Sequence, residues 1–481
     1  MALQTENEKN PVELNPDNGN VQNSSDHSLA RDSVGTTLTN IALFFLGIVI
    51  WIAVARILDP IWRGALALVM ISPAIVMKAG TLGFDYGIVV IGGADRKRLG
   101  TLTRTGAVFG LISGMIFIGV LMGFMWGIPK VFWKITQVWL PLPFEFIAIV
   151  FPIHLMTMAL DAAIYAEDRI ATRNAKEFLV NFAMLVTLMI LFFGFQYKLF
   201  GVIGSHLIAN VISLVASWWL IKDRISLSGE LNFGYIRDAI RLGFPIYLAN
   251  LASFLMLPAM MVLLSVVLPG EPSENLANVA FFTMGYQMVD RILPVTRSVA
   301  YALLPKITSG TDEAASELTG KASRHTLLIS FLIFAALLIF LKPLVAILLG
   351  KRYLPIVLSF AVMAPGGVAL SVGGVWSAHL LARHHPYKVA TAGITGVAVA
   401  LIAAGFGFWL FKGNEVVVAS TAVVIGGFTN TALLLKSFSS IAGVSVKNAL
   451  IPDNGDIREW RRIPGLISGF IQRRTAGGKT N

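Results

Sequence analysis

The feature that most constrains this chain is a series of apolar blocks, each about 20 to 28 residues long, separated by short polar stretches. A helix needs roughly 20 apolar residues to cross the hydrocarbon core of a bilayer. Because backbone groups in lipid must be hydrogen-bonded within the protein, each block is expected to form a helix. The alternating ten-residue pattern of an outer-membrane barrel does not occur. The sequence therefore predicts an all-α, polytopic membrane protein.

Composition agrees with this class. Hydrophobic residues make up 56% of the 481 residues and charged residues 14%, whereas a soluble domain carries roughly 25% charged residues. The chain has no cysteine, which excludes disulfides, thiol nucleophiles and thiolate metal sites. The net charge of +11 is expected beside the membrane helices, where topology and anionic lipids account for it. We therefore expect membrane lipids, and no nucleic acid, among the partners.

Twelve membrane-spanning helices are predicted, at about 34–57, 64–92, 102–126, 143–166, 176–196, 200–222, 238–267, 276–304, 323–349, 354–382, 387–411 and 415–437. Transporters are commonly built from two repeats with the substrate bound between them. The twelve helices therefore predict two six-helix lobes, at 34–222 and 238–440, joined by a cytosolic linker at 223–237. The polar residues 1–33 are expected to form a disordered tail and residues 441–481 a basic tail.

Positive charge is unevenly distributed between the two sets of predicted loops. Sixteen Lys and Arg residues fall in loops on the side of the membrane where the N-terminus lies, and nine fall in loops on the opposite side. Because Lys and Arg concentrate in cytoplasmic loops, both termini are expected in the cytosol. Residues 456–474 alternate apolar side chains with five arginines, which is typical of a segment lying on a membrane surface or of a solvated tail.

Six charged residues are predicted inside helices, where each costs roughly 2.5–3.5 kcal/mol. The three cations are Lys78, Arg291 and Arg297, and the remaining Lys and Arg residues are assigned to loops and tails. The three carboxylates are Asp85, Asp161 and Asp290. Charges at this depth usually face a bundle interior or a watery cavity.

The spacing of these charges is regular. Three pairs lie seven residues apart, each in one predicted helix: Lys78 and Asp85, His154 and Asp161, and Asp290 and Arg297. Seven steps of about 100° bring both members to one face of a helix, two turns apart. Such pairs are too far apart for intimate contact, so the charges are expected to find partners on other helices or on a ligand.

Two interpretations of the charges remain open. In the first, Lys78, Arg291 and Arg297 line a cationic cavity that binds an anionic group such as a pyrophosphate, with Arg as a bidentate donor. Four other residues are then candidates for coupling transport to a proton or sodium gradient: Asp85, Asp290, Asp161 and His154. In the second interpretation, the charges form internal ion pairs that fix helix packing.

Several catalytic motifs are absent from the sequence. There is no Gly-rich phosphate-binding loop ending in Gly-Lys-Ser/Thr, no His-Glu-x-x-His and no Gly-x-Ser-x-Gly. The longest outward loop, about 127–142, is too short for a periplasmic catalytic domain and holds no acidic residue. We therefore expect no catalytic residue, no metal site and no cofactor other than a coupling ion, and the chain is not expected to be an enzyme.

The helical region, about 34–440, resembles the polysaccharide-transport branch of the multidrug/oligosaccharidyl-lipid/polysaccharide exporter superfamily, which contains the O-antigen and exopolysaccharide flippases. The resemblance rests on stretches at helix ends: AVARILDP (53–60), RGALAL (63–68), RLGFPI (241–246), LLPKIT (303–308) and LLGKRYLP (348–355).

The resemblance implies a MATE-like flippase fold with two six-helix lobes around a central cationic cavity. It also implies alternating access, a bacterial inner-membrane location and an oligosaccharide linked to undecaprenyl pyrophosphate as cargo. Polysaccharide polymerase and export proteins are then candidate partners. The alternatives are a cation-coupled multidrug exporter of the same fold and a non-transporting component of a polysaccharide assembly complex.

Overall fold

The computed structural model describes residues 39–136, 141–225, 230–268, 270–309 and 311–458. For residues 141 and 297–309 it describes the backbone only. The predictions for the N-terminal tail and for most of the basic C-terminal tail lie outside the described residues. The same holds for the side chain of Arg297, whose backbone lies in a helix.

The described residues form helices and no strand, which confirms the all-α prediction. In chain order the helices are α1 (Thr39–Ile57), α2 (Pro60–Ala79), α3 (Phe84–Ala94), α4 (Arg96–Gly127), α5 (Pro129–Thr136), α6 (Pro141–Ala148), α7 (Val150–Ala166), α8 (Ile170–Phe193), α9 (Leu199–Ile221), α10 (Phe233–Phe254), α11 (Met256–Val267), α12 (Pro272–Ser309), α13 (Asp312–Leu348), α14 (Ile356–Ala382), α15 (Pro386–Leu410), α16 (Glu415–Ala442) and α17 (Val446–Leu450).

Eleven helical stretches of the described chain are long and apolar enough to span a membrane. Three of them join consecutive helices: α2 with α3, α6 with α7, and α10 with α11. Helix α12 is not among the eleven, although it has 38 residues, because polar and charged residues such as Gln287, Asp290 and Arg291 lower its hydropathy. Adding α12 gives twelve crossings of the bundle, in agreement with the predicted number.

The second predicted helix is broken in two. Helix α2 ends at Ala79 and α3 begins at Phe84. Between them, Leu82 and Gly83 have left-handed backbone conformations, with φ of 49° and 87°. A helix cannot continue through such residues. The prediction that Lys78 and Asp85 share one face of a continuous helix is therefore wrong.

Several cations that were predicted in loops lie in helices. Arg63 is in the first turn of α2, Lys176 in α8 and Arg324 in α13. Lys176 and Arg324 are only 4% and 9% exposed, and each has acidic partners. An ion pair offsets much of the desolvation free energy of a buried charge. Average hydropathy does not take such pairs into account. Similarly, α10 begins at Phe233, inside the predicted linker 223–237.

Helix α2 joins the two halves of the bundle. One apolar core packs residues of α1, α2, α8 and α9 together, and includes Leu66. The largest core lies around Phe282, Phe334 and Phe360 in the second half, yet it includes Leu68 of α2. Helices α2 and α12 also approach closely, because a Cβ atom at Gly64 would lie 1.8 Å from the carbonyl oxygen of Leu276. Small residues permit such backbone contact.

A second close approach joins α3 to α10. A Cβ atom on Gly243 would lie 1.9 Å from the carbonyl oxygen of Gly83. A Cβ atom on Gly87 would lie 2.1 Å from the carbonyl oxygen of Ala239. The two halves therefore touch at two levels, one along α2 and α12 and one along α3 and α10.

We call the face of the bundle where α1 begins and α16 ends the terminus face, and the opposite one the far face. At the far face, Arg352 donates to the carbonyl oxygens of Arg56 and Leu58, both at 3.0 Å. The Tyr353 hydroxyl donates to Leu58 at 2.8 Å. Burial raises the pKa of Tyr353 to about 12, so it remains a neutral donor. These bonds tie the α1–α2 loop to the α13–α14 loop.

At the terminus face, the segment after α16 folds back onto α13. The guanidinium of Arg324 donates to Asp456 and to Asp453. Burial raises the pKa of the Asp456 carboxyl, but the hydrogen bond from Arg324 outweighs this effect and holds that pKa below its usual range. The segment is therefore anchored by a charged contact as well as by the packing of α17.

Candidate functional site

A cavity of about 610 Å³ lies between the two halves, and we call it the central cavity. Helices α1, α2 and α6–α9 line it from the first half, and α10–α12 from the second. Its polar lining residues are Trp51, Arg63, His154, Asn181, His206, Asn210, Thr283, Gln287 and Arg291.

The central cavity is cationic. Arg63 and Arg291 line it, and none of its described lining residues is acidic. The two arginines come from different halves, one from α2 and the other from α12. Two positive charges without an acidic residue among the described lining residues favour an anion in the cavity.

A small hydrogen-bonded network holds the two arginines. The indole Nε1 of Trp51 donates to Oε1 of Gln287 at 2.9 Å, and Arg63 donates to the same oxygen at 3.4 Å. The Arg291 guanidinium lies over the Trp51 ring, 5.9 Å from its centroid, as in a cation–π contact. Nε of Arg291 is buried and has no hydrogen-bond partner among the described residues. The hydrogen-bonding capacity of this donor is therefore not used within the described part of the chain.

A second cavity of about 760 Å³ lies within the first half, toward the terminus face. We call it the acidic cavity, because three carboxylates and one cation line it: Asp85, Asp161, Glu177 and Arg173. Helices α3, α7, α8 and α9 form its walls, and Ile246 of α10 closes one side.

Asp161 belongs to a buried ion pair. Nζ of Lys176 donates to both carboxylate oxygens of Asp161 at 2.6 Å, and to the Ser217 hydroxyl at 3.0 Å. The Ser217 hydroxyl in turn donates to Asp161 at 2.7 Å. Helices α7, α8 and α9 are thus linked at one point. For Asp161, the geometry matches the interpretation of an internal ion pair that fixes helix packing.

The two cavities are contiguous. Both are lined by His154, Asn181, Met184, His206 and Asn210. Nδ1 of His154 lies 3.0 Å from Oδ1 of Asn210, so these two side chains are hydrogen-bonded at the junction. A polar path therefore runs from the two arginines through a histidine- and asparagine-lined neck to the carboxylates.

The structure separates the predicted site residues. Arg291 lines the central cavity, His154 lies in the neck, and Asp85 and Asp161 line the acidic cavity. Asp290 lies beside α14, in a small space lined by Met363, Gly366 and Leu370.

Lys78 is exposed and lines neither cavity. Arg63 supplies the cation that α2 contributes to the central cavity. Its position could have been predicted from the sequence, because Asp59 caps the helix and Pro60 occupies its first turn, which is a typical helix start. Arg63 would then lie in the helix and not in a loop. His206 and Glu177 carry no comparable signal.

Comparison with known proteins now identifies the family. The sequence model of a family described as polysaccharide biosynthesis protein matches residues 53–358, which is more than half of the chain. This chain belongs to the polysaccharide biosynthesis protein family. No curated protein matches it significantly.

Solved structures show that this polysaccharide biosynthesis protein has the fold of the multidrug/oligosaccharidyl-lipid/polysaccharide exporter superfamily. An inward-facing multidrug resistance MATE transporter is 17% identical, covers 85% of this chain and 96% of its own, and gives a TM-score of 0.64. The lipid II flippase MurJ, in an inward closed conformation, is 12% identical, covers 87% of this chain and 89% of its own, and gives a TM-score of 0.65. A transporter of the same superfamily from Pyrococcus furiosus is 15% identical, covers 86% of this chain and 93% of its own, and gives a TM-score of 0.56.

Together, the family and the fold place the chain in the polysaccharide-transport branch of this superfamily. The protein is a multi-pass membrane protein with the fold of these transporters and flippases.

Proposed function

We propose that this protein flips an oligosaccharide linked to undecaprenyl pyrophosphate across the bacterial inner membrane during polysaccharide biosynthesis. The observation that carries the proposal is the charge of the central cavity. Arg63 and Arg291 reach it from opposite halves, and no acidic residue is among its described lining residues. The polysaccharide biosynthesis family supports a substrate of this chemical class.

A pyrophosphate suits this cavity because of its charge and its geometry. It carries at least two negative charges, which match the two guanidinium groups. Each guanidinium presents donors in a planar fork that pairs with two phosphate oxygens at once. A hydrogen bond to a charged group contributes about 1.5–3 kcal/mol. The unpaired Nε of Arg291 and the long bond from Arg63 to Gln287 leave both groups ready to bind an anion.

The acidic cavity supports coupling to a cation gradient. Asp85 and Asp161 line it and His154 lies at its neck, so a proton or a sodium ion entering here would approach the bound anion. One oxygen of Asp85 is buried without a hydrogen-bond partner in the described part of the chain. A cation-coupled drug exporter is the second candidate function, because a cationic drug would be attracted to the same carboxylates.

Alternating access would require the two faces to open in turn. The excess of positive charge in the loops of the terminus face supports a cytosolic location of that face. The lipid-linked substrate would then enter the central cavity from the terminus face. For release on the other side, the bonds of Arg352 and Tyr353 to the α1–α2 loop would have to break.

A deletion strain complemented with variant copies tests the proposed function. The wild-type copy should restore surface polysaccharide, while the Arg63→Ala, Arg291→Ala double variant should accumulate lipid-linked oligosaccharide on the cytosolic leaflet. Arg237→Ala is the matched control, since Arg237 is an exposed arginine of α10 that lines neither cavity. A normal lipid-linked pool in the deletion strain, combined with raised sensitivity to cationic drugs, would instead indicate the exporter.

A further inference from the structure

A third cavity, of about 540 Å³, lies on the outer side of the second half, between α13, α14 and α16. We call it the lateral groove. Its lining residues include Phe331, Val368, Trp376, Phe428, Leu435 and Leu450. Apart from the Trp376 indole nitrogen and the Thr431 hydroxyl, the described lining side chains are apolar. Neither the central cavity nor the acidic cavity shares a lining residue with it.

The lateral groove opens to the bilayer. Helices α13, α14 and α16 are all candidate membrane spans. Phe331 and Phe428 line the groove and are 61% and 49% exposed. On α14 the lining runs from Ala361 to Trp376, which corresponds to about 22 Å at 1.5 Å per residue. The groove therefore runs along α14 over a length that fits one extended hydrocarbon chain.

Two polar atoms of the groove lack partners. Nε1 of Trp376 and the Thr431 hydroxyl are buried with no hydrogen-bond partner among the described residues, and Trp376 is only 1% exposed. A buried donor without an acceptor costs about 1–3 kcal/mol. Trp376 lies in the part of α14 that is closest to the terminus face. An ester carbonyl of a membrane lipid would lie near this depth and could accept from the indole.

Two lysines lie at the terminus-face end of the groove, where Asp453 and Asp456 are paired with Arg324. Lys436 directly follows the groove residue Leu435, and Lys447 lies one turn before the groove residue Leu450 on α17. Both lysines are exposed. A Lys near an anionic membrane surface contributes about 1 kcal/mol to lipid binding. The charge of this end therefore complements an anionic headgroup.

We propose that the lateral groove is a binding site for one anionic glycerophospholipid. An acyl chain lies between α13, α14 and α16, an ester carbonyl accepts from Trp376, and the headgroup lies at Lys436 and Lys447. The lipid is a resident of the second half and not the transported substrate, because α14 separates the groove from α12 and the central cavity. The inference does not depend on the proposed function.

Native mass spectrometry of the full chain, with phosphatidylglycerol or phosphatidylcholine added, tests this inference. The wild-type protein should retain one phosphatidylglycerol and prefer it to phosphatidylcholine by fivefold or more. The Ala335→Phe, Ala432→Phe variant fills the groove at its mouth and should lose this lipid. Ala398→Phe, at an exposed alanine of α15 outside the groove, should keep it.

The headgroup contact is tested separately, with a surface variant that does not alter the core. Lys436→Ala, Lys447→Ala should still bind one lipid but lose the preference for phosphatidylglycerol. The inference is overturned if the groove-filling variant binds the same number of lipids with the same preference as the wild type. It is also overturned if wild-type protein retains no more phosphatidylglycerol than phosphatidylcholine.

Discussion

The central cavity and the acidic cavity share His154, Asn181 and His206, yet they carry opposite charge. In the central cavity, the two arginines come from different halves and contact neutral Trp51 and Gln287. In the first half, Asp161 is paired with Lys176, whereas one oxygen of Asp85 has no hydrogen-bond partner among the described residues. A paired charge thus fixes the helices of one half, whereas the two arginines between the halves have no acidic residue among the described lining of their cavity, where a ligand can bind.

The largest effect is expected from removing the two arginines of the central cavity. The Arg63→Ala, Arg291→Ala variant should lose about 3–6 kcal/mol of ligand interaction, if each arginine contributes one charged hydrogen bond. Transport measured as flipped lipid-linked oligosaccharide should fall about 10²- to 10⁴-fold. Arg237→Ala should transport normally. Unchanged transport in the double variant would show that the central cavity does not bind the anion.

Breaking the buried ion pair of Asp161 and Lys176 should affect stability most. Asp161→Ala leaves the Lys176 ammonium buried without its main partner, and we expect a loss of about 3–5 kcal/mol. Thermal unfolding in detergent measures this loss. Asp161→Ala combined with Lys176→Met should recover most of it, because both charges are then absent. A single variant as stable as the wild type would contradict a packing role for the pair.

Separating the two halves should have an intermediate effect. In Gly64→Ala, the new Cβ would collide with the Leu276 carbonyl oxygen, 1.8 Å away. Overpacking of this kind costs about 1–3 kcal/mol, which thermal unfolding should detect. Gly119→Ala is the matched control, because nothing lies within 4 Å of a Cβ at Gly119. Equal stability of the two variants would argue against close contact between α2 and α12.

The smallest effect is expected from Trp51→Phe. This variant keeps an aromatic ring under Arg291 but removes the hydrogen bond to Gln287. A single neutral hydrogen bond contributes about 0.5–1.5 kcal/mol, so transport should fall between about twofold and tenfold. A loss as large as that of the arginine double variant would mean that Trp51 itself contacts the substrate.

The sequence predicted the fold well because apolar block length alone determines where membrane helices form. Twelve crossings and the all-α class followed from it. It predicted the site less well. Lys78 and Asp85 were related through helical periodicity, and the left-handed residues Leu82 and Gly83 interrupt that periodicity. No spacing rule signals such a break between two apolar segments.

Contacts between charged residues on different helices also could not be predicted from a single sequence. Arg291 was identified because a charge inside an apolar block is conspicuous. Arg63 and Lys176 lie near helix ends, where charges are common. Their roles depend on which helices pack against them, and that is decided by contacts between residues far apart in the chain.

A binding measurement on purified protein tests the central claim most directly, namely that Arg63 and Arg291 bind a pyrophosphate. The wild type should bind undecaprenyl pyrophosphate at least 10²-fold more tightly than undecaprenol, a difference of about 3 kcal/mol. In the Arg63→Ala, Arg291→Ala variant that preference should disappear, while Arg237→Ala should preserve it. Equal affinity of the wild-type protein for the two lipids would contradict a cationic site for the pyrophosphate in the central cavity.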